Sequence, residues 1–317
     1  MEKGSTVTNN NIGTAIQYFR ESYRITQGNL CKGLCSVATL SRIETGERDV
    51  DSLLLETLLE RLGRMPNQFE LILTDFDYML YLKREEIKRQ IEEQNCEKAH
   101  ELLREYEKSA GSKGTPHRQF IMNSRAWLND AEGGAVEKTI ELLMEAIVCT
   151  VPDFKTYNIK NYYLSNPEIN IIIDMIQHMV LAGARDKAKD ILNQVIEYLE
   201  RQAVTEENNS VYTKVAVMAS KLYMEEGDML RAGKMCELGL EKSKGIRKMD
   251  YLGDLYIIKA KSMEALLEED RGQKEARMKC VKAYLQAYYV YDFCEEHSEA
   301  EKIREHLQEV YQWVDID

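Results

Sequence analysis

The chain has 317 residues, 44% hydrophobic and 30% charged, with four prolines and a formal net charge of −12. That length suits about two domains, and the composition is ordinary for a folded chain. The opening MEKGSTVTNNN lacks the apolar run of a signal peptide, and the most apolar stretch, INIIIDMIQHMVLAG, is short for a membrane span and contains Asp174. The expected protein is therefore cytoplasmic, with no membrane attachment. Abundant Leu, Ala, Glu, Lys and Met, few prolines and no alternating apolar runs predict an all-α fold. Seven cysteines are scattered without a framework, so thiols are expected. Cys31 and Cys35 read either as redox or metal ligands or, with more weight, as packing residues of a helix pair.

Taken in chain order, IGTAIQYFRESYR puts Ile12, Ala15, Ile16 and Phe19 on one face of a first helix. Thr26 is an N-cap for a short helix over Gln27–Lys32, which Gly28 and Asn29 leave dependent on tertiary support. Gly33 supplies a turn. Ser36 caps a second helix from Val37 to about Thr45, and Gly46 ends it in the left-handed conformation. A further helix opens at Asp51 and stops at Gly63. A short helix, tight turn and second short helix is the arrangement that places the second helix in the major groove of DNA. Gln27 and the first helix's N-terminus are expected to hold a phosphate. Ser36, Val37, Ala38 and Thr39 form the exposed turn, with Arg42 one turn on. Val37 and Ala38 suit thymine methyls, and Arg42 suits guanine or a phosphate. Arg20, Arg24, Lys32 and Arg48 are expected near the same ligand. Residues 1–64 carry eight basic and eight acidic side chains, so the whole charge of −12 belongs to residues 65–317. A neutral DNA domain on an acidic chain gains from dimerisation on a two-fold operator.

The motif TQ-x-x-L followed by LCS-x-x-x-LSRIE-x-G resembles the Xre/Cro-type helix-turn-helix. Its spacing between Gln27 and Ser36, one residue shorter than usual, and the LC before the second helix are similar to the PlcR, NprR and Rgg group of peptide-responsive regulators. Gly28, Asn29 and Val50 depart from the Xre pattern at positions with no proposed DNA contact. The resemblance implies a five-helix DNA-binding domain over 1–64, tetratricopeptide repeats and control by a short signalling peptide in quorum sensing.

Residues 65–94, around Pro66, are expected to form a linker helix, about Gln68 to Gln94. Over 95–296 a turn followed by a charged pair and a small residue recurs in CEKAHELL, VEKTIELL, RDKAKDIL, LRAGKMCE and KEARMKCV. Ala99, Thr139, Ala188, Ala232 and Ala276 hold the small position. Residues 297–317 are expected to supply a capping helix, Ser298 to Val314. Five helix pairs and a cap predict a right-handed α-solenoid that resembles the tetratricopeptide half of the same regulators. With Gly183 and Gly227 as register marks, Asn170, Asp174 and Gln177, then Lys214 and Lys221, are expected to face an inner groove, with Asn123 and Lys261 flanking. Asn and Gln pair with the backbone of an extended peptide, and Lys takes a carboxylate.

No P-loop, dinucleotide motif or nucleophile elbow occurs, and the five histidines are dispersed, so no catalytic residue, cofactor or metal site is expected. Three functions remain open: a peptide-controlled, homodimeric regulator binding double-stranded DNA at an inverted-repeat operator; a scaffold whose repeats hold a protein partner; and a DNA binder without a small ligand.

Overall fold

The computed structural model describes residues 12–64, 75–110, 114–201, 206–246, 249, 251–269 and 274–313. Among them lie fifteen α-helices and no strand, so the fold is all-α as expected. Four helices occupy the N-terminal part: α1 (Ile12–Ser22), α2 (Gln27–Leu30), α3 (Val37–Glu44) and α4 (Ser52–Arg61). The expected count of five is thus four among residues 12–64. Each of the three caps read from the sequence is present: Thr26 accepts from Asn29 N, Ser36 from Thr39 N and Asp51 from Leu54 N. Ile16, Leu30, Leu40, Ile43, Leu58 and Leu59 form the core, each burial worth about 1.5–3 kcal/mol. Gly13 sets the crossing of α1 and α3. A Cβ there would stand 1.9 Å from Ile43 O, so only glycine permits this approach.

Helix pairs follow. The first members are α5 (Asp75–Glu92), α7 (Thr115–Ala131), α9 (Asn166–Leu181), α11 (Glu206–Glu225) and α13 (Leu252–Glu269). Their seconds are α6 (Cys96–Ala110), α8 (Val136–Thr150), α10 (Arg185–Arg201), α12 (Met229–Ile246) and α14 (Lys274–Phe293), with α15 (His297–Tyr311) last. The expected linker helix is described over Asp75–Glu92; its expected start at Gln68 falls in residues 65–74, outside the described part, as do 314–317 at the end of the expected cap. The turns share one chemistry. The residue after the helix is left-handed, and the next N–H reaches back five residues, as from Ala184 to Met179 O (2.8 Å) and from Asp228 to Tyr223 O (2.9 Å). Gly133, Gly183 and Gly227 take the left-handed position without strain, whereas Gln94 and Glu295 adopt it as non-glycine residues. Ala99, Thr139, Ala188 and Ala232 are fully buried, where a larger side chain would hold the paired helices apart. Ala276 is only half-buried.

The chain divides into two compact units, 1–194 and 195–317. In the first, α5 packs on α6 and α7, α7 on α8, and α8 on α9, with α4 against α7. In the second, α11 packs on α12 and α13, α13 on α14, and α14 on α15. There, Glu264 accepts hydrogen bonds from Tyr284 Oη (2.7 Å) and Tyr311 Oη (2.8 Å) and lies 3.1 Å from His306 Nε2, which ties α13 to α14 and α15.

Candidate functional site

α3 presents its first turn outward. Val37 is 48% exposed and Ala38 and Arg42 are exposed, while Leu40 and Ile43 on the opposite face are buried. Ser36 and Thr39 are less free than the sequence suggests. Their hydroxyls lie 2.9 Å apart, and Ser36 Oγ also accepts from Thr39 N. Together they fix the direction in which α3 leaves the turn.

The anticipated basic face is smaller than five cations. Arg20 is buried, donating through Nε (2.6 Å) and Nη2 (2.9 Å) to the Glu44 carboxylate and through Nη1 to Ile25 O (3.1 Å). The Glu44 hydrogen bond raises the Arg20 pKa against the opposing effect of burial. Gln27 Nε2 donates to the same carboxylate at 2.7 Å, so its side-chain amide is turned inward and ties α2 to α3. Lys32 pairs with Asp153 at 2.7 Å. Arg24, Arg42 and Arg48 remain exposed. Glu44, inside the LSRIE motif, is what the charge count hides: a buried acid draws Arg20 and Gln27 to itself. Cys31 is buried and Cys35 half-buried. Burial raises both thiols, Cys35 to about 11, which suits packing residues and leaves little thiolate at neutral pH. No cluster of metal-ligating side chains occurs among the described residues, and no described helix is long and apolar enough to cross a membrane.

The helix-turn-helix is seated on the first repeats by buried polar bonds. Arg61 of α4 and Glu168 of α9 have side chains 2% and 0% exposed and meet at 2.6 Å. Arg61 also donates to Leu30 O (3.1 Å), Lys32 O (2.8 Å) and Thr150 O (3.1 Å). Glu168 accepts from Ser165 N at 2.7 Å. Tyr106 Oη lies 2.6 Å from His117 Nδ1, and His117 Nε2 lies 3.1 Å from Asp51 Oδ1. Burial opposes charge on Asp51, but the bonds from His117 and Leu54 N outweigh it and hold its carboxyl below its ordinary value. Thr115 Oγ1 donates to Gly33 O (2.7 Å). Neither Arg61 nor Glu168 stood out in the sequence; an Arg in the last turn of a helix and a Glu three residues after Ser165 both read as routine helix-end residues.

The first helices of the later pairs each carry a stripe with polar residues that are not buried. On α9, Asn170 and Asp174 are half-buried and Gln177 is exposed, between fully buried Ile169, Ile171, Ile172, Ile173, Met175 and Ile176. On α11 the stripe holds Lys214, Met218 and Lys221, and on α13 it holds Asp254, Ile257 and Lys261. Lys221 pairs with Asp254 at 2.8 Å. Asn123 differs from the rest: it is only 7% exposed, and its Oδ1 has no hydrogen-bond partner among the described residues. Its helix face carries Trp127, whose Nε1 donates to Asp174 Oδ2 (3.2 Å), and Asp130, which meets His178 Nε2 (2.9 Å). Trp127, Asp130 and His178 carry no motif in the sequence that marks them, although Trp127 stands four residues after Asn123.

No family model matches the chain, and no curated protein matches it in sequence. Solved structures do. The crystal structure of Bacillus thuringiensis PlcR in complex with the peptide PapR7 and DNA is 17% identical, covers 92% of this chain and 98% of its own, and superposes with a TM-score of 0.57. The chain has the fold of PlcR. The apo form of PlcR gives 17% identity, 93% and 98% coverage and a TM-score of 0.51. The apo competence regulator ComR from Streptococcus vestibularis is 17% identical over 93% of this chain and 96% of its own, with a TM-score of 0.47.

Proposed function

We propose that the protein is a DNA-binding transcriptional regulator controlled by a short signalling peptide, working in the cytoplasm as a homodimer on an inverted-repeat operator, in the manner of quorum sensing. The observation that carries this reading is the exposed first turn of α3, with Val37, Ala38 and Arg42 outward and the helix fixed by the Ser36–Thr39 cap. A PlcR bound to a peptide and DNA on the same fold supports it. In this reading α3 enters the major groove, Val37 and Ala38 meet thymine methyls, and Arg42 meets guanine or a phosphate. Gln27 acts on the backbone mainly through its N–H at the start of α2, because its side chain is held by Glu44.

The peptide is met in the first unit by Asn123, Asn170, Asp174 and Gln177, whose amides and carboxylate pair with an extended backbone. In the second unit, taken by itself, Lys214, Lys221 and Lys261 are the cations proposed to take carboxylates. The unpaired Oδ1 of Asn123 is an acceptor that a peptide N–H would satisfy. The peptide regulates only by binding one state of the protein more tightly than another.

The test is selection of duplexes from a random pool by purified protein, followed by titration of candidate secreted peptides. Enrichment of an inverted repeat, with affinity changed by one peptide class, is the expected outcome. No enrichment would contradict the reading of α3.

A further inference from the structure

Residues 151–165, between α8 and α9, contain no regular structure beyond a short 3-10 turn at Ile159–Asn161, yet internal bonds fix them. Tyr162 Oη donates to Asp153 O (2.7 Å) and accepts from Lys155 N (3.0 Å). Gln194 donates to Thr156 O (2.9 Å) and accepts from Ile159 N (3.2 Å). The segment is built against the helix-turn-helix. Tyr163 packs on its core, Lys32 pairs with Asp153, and Gly33 lies so near Thr150 O that a Cβ would stand 1.8 Å from it. A cleft of about 90 Å³ opens along this seam, lined by Asn29, Lys32, Arg61, Asn161, Tyr162 and Tyr163.

Three observations give the seam a chemical character. Asp153 is the only acid of residues 151–161, and Lys32 already pairs with it. Lys155, Lys160 and Asn161 are exposed, and Tyr157 is 72% exposed with the Lys155 ammonium 5.9 Å from its ring centroid. Asn29 of α2 and Lys32, in the turn after it, line the edge of the same cleft, while Gly28 of α2 faces Val37 of the reading helix. The first helix of a helix-turn-helix crosses the DNA backbone, and this segment packs beside the end of that helix.

We propose that residues 151–161 form a second contact to the DNA phosphate backbone, outside the helix-turn-helix, with Lys155 and Lys160 neutralising phosphates and Asn161 donating beside them. This rests on α3 being the DNA-reading helix. It accounts for how a repeat region of charge −12 tolerates DNA at its edge: the edge itself is locally basic. The contact carries no base readout, because phosphates are the same in every sequence.

The experiment uses the full chain, a duplex selected by the parent and an unrelated duplex, with affinity measured as a function of sodium chloride. The double variant Lys155→Ala/Lys160→Ala should lower the slope of log K against log salt by about 1.8, from roughly 0.9 per phosphate contact. Affinity at 0.1 M salt should fall at least about tenfold, equally on both duplexes. Lys155→Arg/Lys160→Arg should keep the parent slope, and melting should be unchanged in both. A slope within about 0.5 of the parent, or a loss confined to the selected duplex, overturns the proposal. Arg42→Ala separates this failure from a deeper one. If it abolishes selectivity while the lysine variant behaves as the parent, the reading helix stands and the second contact is wrong. If the parent itself selects no duplex, both fall.

Discussion

Arg42 and Arg61 belong to the same small helical domain and have opposite surroundings. Arg61 is buried, bonded to one carboxylate and three carbonyl oxygens, and unites α4, the α2–α3 turn, α8 and α9. Arg42 stands exposed beside Val37 and Ala38 on a helix whose other face is core. A cation saturated by buried acceptors serves the architecture, because losing it strands a charge. A cation held in the open by a rigid helix is available to a ligand. Arg20, which charge counting would group with Arg42, belongs with Arg61 by this criterion.

The comparison breaks most readily at the seam. Arg61→Ala leaves Glu168 buried without its partner and should cost about 3–5 kcal/mol, lowering the thermal midpoint by on the order of ten degrees. The paired change Arg61→Met/Glu168→Leu should recover much of that loss. Scanning calorimetry of the three proteins checks it; a single variant that melts like the parent would show the bond to be incidental.

Next in size are the stripes of the first helices. Asn170→Ala or Lys214→Ala should weaken a cognate peptide by about 1.5–3 kcal/mol with little effect on melting, by titration calorimetry. If both unfold the protein, these positions belong with Arg61 rather than with Arg42.

Acid should act at Glu264. Burial works against its charge, but the bonds from Tyr284, Tyr311 and His306 outweigh it, so its folded pKa lies below the ordinary 4.5. Its contribution is present above the unfolded value and is lost as pH falls through the folded one. Glu264→Gln should lower stability at pH 7 and flatten the decline below about pH 4.5, as read by melting against pH. The smallest effect is expected at Lys32 and Asp153. Both are about half exposed, and Asp153→Asn should change stability by less than about 1 kcal/mol.

Much of this architecture was legible from local chemistry. Thr26, Ser36 and Asp51 as caps, Gly46 and Gly63 as stops, and Ala99, Ala188 and Ala232 as close-packing positions all act through residues near in sequence. The left-handed turns at Gln94 and Glu295 were not legible, because no glycine announces them. The long-range bonds were hidden for a different reason. Arg61 and Glu168 are 107 residues apart, and Gln27 and Glu44 are 17 apart, so only the packed fold shows that each pair meets. The polar stripe of α9 was legible because Asn170 and Asp174 interrupt, and Gln177 ends, the apolar run of residues 169–176. Asn123 was placed without its burial, which depends on how α7 packs.

The role of α3 is tested most directly by the affinity of Arg42→Ala and Thr39→Ala for a selected operator and for unrelated DNA. Each variant should lose about 1–3 kcal/mol on the operator, almost nothing on unrelated DNA, and keep the parent's melting temperature. Operator affinity equal to the parent's in both variants would contradict α3 as the reading helix.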